Sequence, residues 1–433
     1  MPAQPIGPSP VNLTEAGAAL CMVCILLVPL ASAGLTLVNA GFGRARSAAH
    51  SMLSALCVFA VAILAYLTVG FSIQGFAGGP AHLLTLAGHS WSVLGAGRPM
   101  MRGVAFDGTA VSLTACLQLF CVAFAAMIPL GAGSDRWRLG ASCFSTALMA
   151  GIVYPIFAHW VWGGGWLAQL GALPLCGNGA IDAGGAGPIQ ALGGLAALSI
   201  TWILGPRHGK YEATGMAIPA HNMPFVLFGC MLTLIGWLGL DAAGAMLFAG
   251  APAGSIAGIA INNLAAAAIA LLTALLVTRF RYGKPDASIG ANGFVIGLVS
   301  VSGACSLVSP ATAAAIGLVG GLLVPFSVEW LDRLGFDDPS GTISVHALGG
   351  LWGVLATGFF APTRPGQWLA QVTMLSALLG FVLPLIYVLN RLLDRFYPQR
   401  ISKDGERQGL DMFELGAGAY PEWTAANKEH FFR

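Results

Sequence analysis

Asp182-Ala-Gly-Gly185-Ala-Gly-Pro188-Ile-Gln190-Ala-Leu-Gly-Gly-Leu195 and Asp338-Pro-Ser-Gly341-Thr-Ile-Ser-Val-His346-Ala-Leu-Gly-Gly-Leu351 share one frame. In each, an Asp is followed by Gly three residues on, by Gln or His eight on, and then by Ala-Leu-Gly-Gly-Leu. Two unrelated apolar segments rarely share such a pattern. An Asp where a helix begins can accept hydrogen bonds from the free backbone N–H groups of the first turn. The glycines let helix backbones approach closely. The residue eight positions on lies two turns deeper, about 12 Å at ~1.5 Å per residue.

Each copy opens a long apolar stretch, and similar stretches flank them. They run over 14–41, 47–75, 109–132, 139–160, 187–205, 223–241, 253–278, 287–308, 311–330, 342–361 and 367–393. Each has the ~20 residues that cross a ~30 Å hydrocarbon core. The composition agrees: of 433 residues, 9% are charged and 56% hydrophobic, against roughly 25% charged in soluble domains. So few charges cannot cover a soluble protein of this size, and they exclude a disordered chain or a coiled coil. A net charge of +2 leaves no footprint for nucleic acid. The expected class is an all-α polytopic membrane protein of eleven transmembrane helices.

The first copy opens the fifth stretch and the second opens the tenth. An odd number of spans separates them, so they cross the membrane in opposite directions. This is the arithmetic of a 5+5 inverted repeat plus a final helix, a plan that places a substrate path between the halves. The expected divisions are an extracytoplasmic segment 1–13, a first half 14–205, a connector 206–222, a second half 223–361, the last span within 362–393 and a tail 394–433. Basic residues follow the odd-numbered spans at Arg44, Arg46, Arg136, Arg138, Arg207, Lys210, Arg279, Arg281, Lys284, Arg333 and beyond Asn390. Only Arg98, Arg102 and Arg364 fall on the other face. The positive-inside rule then places the N-terminus outside and the tail in the cytoplasm. Met1–Ala16 has no basic region of a secretory signal, so the first span is expected to be retained. The nine cysteines lie mostly inside apolar runs and read as buried helix residues.

From opposite faces, Gln190 and His346 converge near the midplane. A histidine inside an apolar span is costly and marks function unless a neighbouring helix simply hydrogen-bonds it. The polar residue at the equivalent position favours function. Imidazole can accept or pass a proton near physiological pH, whereas the Gln amide can only hydrogen-bond.

The chain resembles the ammonium transporter/methylammonium permease/Rhesus family over residues 14–421. The resemblance rests on Ala158-His159-Trp-Val-Trp162-Gly-Gly-Gly165-Trp, on Pro219-Ala-His221-Asn222-Met-Pro and on Ile235-Gly-Trp237-Leu-Gly-Leu240-Asp241-Ala. It also rests on Asp337-Asp338 through His346 and Gly349-Gly350, on Gly34 to Gly41 before Arg44, and on Gly409-Leu-Asp411 with Ala419-Tyr420. It implies a homotrimer in the cytoplasmic membrane, each protomer with its own narrow hydrophobic pore for ammonium or ammonia. It further implies an outer vestibule that recruits the cation through an aromatic face and a hydroxyl, two stacked phenylalanines, and a dry pore with twin histidines. A PII-type regulatory protein is the cytoplasmic partner it suggests. No metal, nucleotide or redox cofactor is implied.

The residues carry over unevenly. Trp162 matches the vestibule tryptophan, and Asp182 the aspartate that braces its base, with Asp338 as its inverted counterpart. Gly244 stands where the vestibule hydroxyl is expected, and Asp241 replaces an Asn beside it. Leu240 stands where the inner gate phenylalanine is expected. The outer gate residue is Phe124 by local similarity or Cys121 by an ungapped reading. Val38-Asn39 replaces an aromatic pair in the first span. His346 matches the second pore histidine, and Gln190 stands at the first. His159 is expected to pack at a helix end, His221-Asn222 to cap the sixth span, and Glu329 with Asp332-Arg333 to form a solvated helix end. The expected function is ammonium/ammonia transport. The alternatives are the same fold passing methylammonium, a small amide or neutral ammonia only, and an ammonium sensor acting through its tail or a partner. A lost gate aromatic leaves a wider pore, and a lost imidazole interrupts a two-histidine proton wire.

Overall fold

Apolar runs of span length wind into helices throughout the computed structural model, which describes residues 11–86, 88–212 and 218–420. A bilayer core offers no water to backbone polar groups, so each crossing segment must satisfy its own N–H and C=O groups, and a helix does this. In chain order the helices are α1 (Glu15–Phe42), α2 (Ala45–Gln74), α3 (Ala110–Ala132), α4 (Leu139–Ala172), α5 (Ala186–Leu204), α6 (Met223–Phe248), α7 (Ala253–Tyr282), α8 (Ala287–Ser302), α9 (Pro310–Arg333), α10 (Ile343–Phe360) and α11 (Gln367–Phe396). Among the described residues ten of these are long and apolar enough to cross a membrane, and α8 is apolar but shorter, with 16 residues. Leu26, Leu56, Phe228, Leu276 and Phe359 are exposed on the outer surface, as lipid-facing side chains are in a helix bundle.

Several boundaries differ from the apolar runs. Helix α8 stops at Ser302 rather than 308, because the chain then turns and Gly303 O accepts the N–H of Ala183 at 3.1 Å. Helix α6 continues past 241 to Phe248, so Asp241 and Gly244 lie inside it. Helix α4 runs past 160 and is interrupted at Trp162–Gly165. Helices α1 and α3 are interrupted at Pro29 and Pro129, residues that have no N–H to continue the ladder. The spans are all helical, and in the connection between α2 and α3 an antiparallel hairpin joins β1 (Ala81–Leu86) to β2 (His89–Gly95). Strands of six and seven residues without regular alternation are a weak signal beside span-length apolar runs.

The repeated motif takes the same shape twice. Asp182 accepts from Gly185 N (2.6 Å) and Ala186 N (3.0 Å) through Oδ1, and from Gly187 N (2.6 Å) through Oδ2. Asp338 accepts from Thr342 N (3.0 Å) and Ile343 N (2.6 Å). The Gly three residues after each Asp has positive φ, 99° at Gly185 and 70° at Gly341, which costs glycine little. The first turns of α5 and α10 are both π-wound, over Ala186–Ala191 and Ile343–Leu348. A Cβ on Gly194 would stand 2.0 Å from Ala347 N, and one on Gly350 2.5 Å from Ala191 N. Each Ala-Leu-Gly-Gly therefore sets its Ala against the other copy's second Gly. Residue number rises along one helix as it falls along the other, so the copies cross antiparallel.

The face carrying Asp338 holds a buried ionic cluster. The Arg207 guanidinium donates to both carboxylate oxygens of Asp337 (2.8 and 3.0 Å) and to Asp135 (3.1 Å). Arg136, fully buried, donates to the backbone oxygens of Asp337, Gly205 and Ser134. The tail docks on the same face. Asp411 accepts from His50 N at 2.7 Å, and Glu414 from the His50 ring (2.7 Å) and Leu139 N (2.9 Å).

Candidate functional site

On the face carrying Asp182, the break in α4 presents Trp162. Its indole N–H donates to Asp182 O at 2.8 Å, so the motif that caps α5 also fixes this ring. Phe248 stacks on it with centroids 4.2 Å apart and planes 13° from parallel. Phe248 lies beyond 241, where the apolar run of the sixth span ends, so the sequence does not mark it. The Gly244 position is closed: a Cβ there would stand 2.4 Å from Ala183 O, so a backbone carbonyl occupies the space of a hydroxyl side chain. Asp241 is fully buried. Its Oδ2 lies 3.2 Å from Ser302 Oγ, its Oδ1 has no partner, and Gly184 packs against it.

Deeper in, Phe124 meets Trp237 edge-on, with centroids 5.6 Å apart at 88°. Both line a cavity with His346. Cys121 and Leu240 are buried but lie outside that wall. The aromatic partner of Phe124 is thus Trp237, one helical turn before Leu240. Its indole N–H donates to Ser302 Oγ at 2.7 Å. The sequence marks Trp237 only as part of a motif, and nothing in it indicates that its ring turns toward α3.

His346 Nδ1 and Gln190 Oε1 are 2.8 Å apart, and both residues are buried. The Gln oxygen only accepts, so His346 carries its proton on Nδ1 and presents Nε2 as an acceptor. Gln190 Nε2 is buried without a partner. Two polar residues from antiparallel helices therefore meet directly, as the repeat predicts. The other residues singled out are scaffold contacts. His159 bridges Gln74 O (2.6 Å) and Ser92 Oγ (2.8 Å), tying α4 to α2 and β2. Asn222 caps α6 through Phe225 N, while His221 bonds Gly43 O and Tyr420 instead. Glu329 pairs with Arg281 and Arg333. Among the described residues no group of three or more His, Cys, Asp or Glu is placed to hold a metal ion.

The model of the Ammonium Transporter Family matches residues 19–420. The chain is 33% identical to the ammonium transporter Amt2 of Archaeoglobus fulgidus, over 94% of this chain and 89% of that one. It is 29% identical to an ammonium transporter of Bacillus subtilis, over 92% and 97%. Among solved structures, a sensor Amt protein superposes with a TM-score of 0.82 at 25% identity, covering 91% of this chain and 96% of that one. Mep2 of Candida albicans superposes with a TM-score of 0.74 at 25% identity, covering 90% and 87%. With the family model spanning nearly the whole chain, and the repeat and its paired polar residues in place, this protein belongs to the ammonium transporter family.

Proposed function

We propose that the protein moves ammonium or ammonia across a membrane through a narrow path inside each chain. The observation that carries this reading is the direct bond between His346 and Gln190, delivered to one depth by antiparallel helices. In this reading Trp162, stacked on Phe248, offers an aromatic face to an arriving cation. Asp182 supports that entrance, Asp338 braces the inverted end, and Asp241 with Gly244 acts through packing. Phe124 and Trp237 form the constriction, with Leu240 behind it. Gln190 and His346 line the middle. A dehydrated ammonium does not cross an apolar pore cheaply, and a single imidazole is available to take its proton.

Eleven spans complete the topology, with α8 as the eighth and the turns after Ser302 finishing its crossing. Irregular backbone is tolerated at membrane depth when protein buries it. The distribution of basic residues supports an external N-terminus and a cytoplasmic tail. We place the chain in the cytoplasmic membrane as a homotrimer, with a PII-type regulator as candidate partner for the cytoplasmic face. The sensor reading is favoured by one observation, the structural likeness to a sensor Amt protein.

The test is to pulse purified protein in proteoliposomes on a solid-supported membrane with ammonium, then methylammonium. Empty liposomes and Trp162→Ala are controls. The expected result is a sustained ammonium current that scales with protein density and falls about fivefold to thirtyfold in Trp162→Ala, the loss of a cation–π contact worth ~1–2 kcal/mol. No current and no pH-coupled ammonia uptake would overturn transport and leave sensing.

A further inference from the structure

Asp241 is a carboxyl group sealed inside α6, and packing alone does not account for it. Asp241, Trp237 and Ser302 are all fully buried. Burying an acid is costly, and an ionised acid with no cation beside it costs most. Among the described residues the titratable groups against Asp241 are Asp182 and Cys305, neither of which carries a positive charge. Cys305 Sγ bonds the backbone oxygen of Asp241 at 3.9 Å. The Asn263 amide, also beside the carboxyl, donates to Ile259 O at 3.1 Å. Asp241 Oδ1 has no partner.

The partners of Ser302 fix where a proton belongs. A serine hydroxyl has one proton to give and two lone pairs. Ser302 Oγ takes the Trp237 N–H at 2.7 Å and has two oxygens in reach, Leu298 O at 3.0 Å and Asp241 Oδ2 at 3.2 Å. One proton cannot serve both. With that proton on the closer Leu298 O, the second lone pair of Ser302 is left to accept from Asp241, which needs its own proton on Oδ2. Every polar atom of the three side chains then has a partner except Oδ1, and Oδ1 becomes a neutral carbonyl oxygen rather than half of a buried charge. Trp237 stands one helical turn before Asp241 on α6, so both side chains reach the end of α8. Its ring meets Phe124 edge-on at 5.6 Å and lines the cavity beside His346. A Ser302 hydroxyl held by Asp241 keeps a lone pair on the indole N–H, and that bond sets how the ring stands.

We propose that Asp241 is a positioning residue, kept as a neutral carboxylic acid whose O–H holds Ser302 and, through it, the ring of Trp237 at the constriction. The proposal rests on the transport reading for the constriction and adds the group that orients it. Asp241 touches no substrate and acts only through Ser302.

Two measurements on the full chain test this. Infrared difference spectra of wild type against Asp241→Asn, with carbon-13 aspartate, are expected to show the carbonyl band of a neutral carboxylic acid at neutral pH. A carboxylate band alone would overturn the proposal. In proteoliposomes Asp241→Leu and Ser302→Ala are each expected to lower the ammonium current about fivefold to tenfold, the worth of one buried hydrogen bond. Their double variant is expected to fall no further, because both changes release the same ring. Asp241→Asn places an N–H where the acid has its O–H and is expected to retain most of the current. Losses that multiply in the double variant, or an Asp241→Asn as impaired as Asp241→Leu, reject the assignment. Should Asp241→Leu aggregate on size exclusion, the infrared band and the Asp241→Asn current decide. A wild type that shows the band but carries no current would instead sink the transport reading and leave the neutral acid standing.

Discussion

Gln190 shows what one substitution does to a paired site. The twin-imidazole expectation concerned proton relay, but in the fold Gln190 first serves His346 by accepting its Nδ1 proton at 2.8 Å. Removing that acceptor strands a buried N–H, at a cost of about 1–3 kcal/mol. Gln190→Ala should therefore lower the thermal unfolding midpoint in detergent, as well as change the current. Gln190→Glu keeps an acceptor and should retain most of the stability. Equal midpoints for Gln190→Ala and wild type would show that the bond contributes nothing. Gly244 teaches the converse. By sequence it is a missing hydroxyl, yet Ala183 O fills the space, so Gly244→Ser should cost stability before it restores any binding.

Helices α5 and α10 meet through Ala191 against Gly350 and Gly194 against Ala347. The Gly194 contact is the tighter, 2.0 Å against 2.5 Å for a built Cβ. Overpacking a tight contact costs roughly 1–3 kcal/mol or more. Gly194→Ala should therefore give less monodisperse protein on size exclusion than Gly350→Ala, and the reverse order would contradict this packing. At this scale the sequence was readable because the motif states both the cap and the crossing. The end of α8 was not, because Ser302 stops the helix only through a bond between Gly303 O and the distant Ala183 N–H. Nothing in the local apolar run marks that partner.

The whole molecule is held on its basic face by Asp135, Arg136, Arg207 and Asp337, which join three connections between spans. Burial alone would raise the Asp337 pKa. Hydrogen bonds from Arg207 and the charges of Arg136 and Arg207 outweigh it and hold the carboxyl at about 2. A depressed carboxylate contributes stability that is complete above its unfolded value, about 4, and is lost as pH falls through about 2. The contribution is roughly 2 kcal/mol by this linkage. Thermal unfolding midpoints should hold steady from pH 7 to 5 and drop between pH 4 and 2. Asp337→Asn should unfold earlier at pH 7 and lose that slope. Arg207→Met should cost about 3–5 kcal/mol, because it leaves two buried carboxylates without their partner. An Asp337→Asn profile that parallels wild type would assign the acid sensitivity elsewhere.

By itself the sequence determined the class, the run of long apolar helices and the pair of matching motifs that open α5 and α10. These follow from hydropathy, helical rise and the chemistry of an Asp cap, which are local or periodic. Tertiary structure alone decided that Phe124 meets Trp237, that Phe248 covers Trp162, and that Ser302 stands between Trp237 and Asp241. Those residues come from separate helices and loops, and no spacing along a chain records which side chains will face a common space.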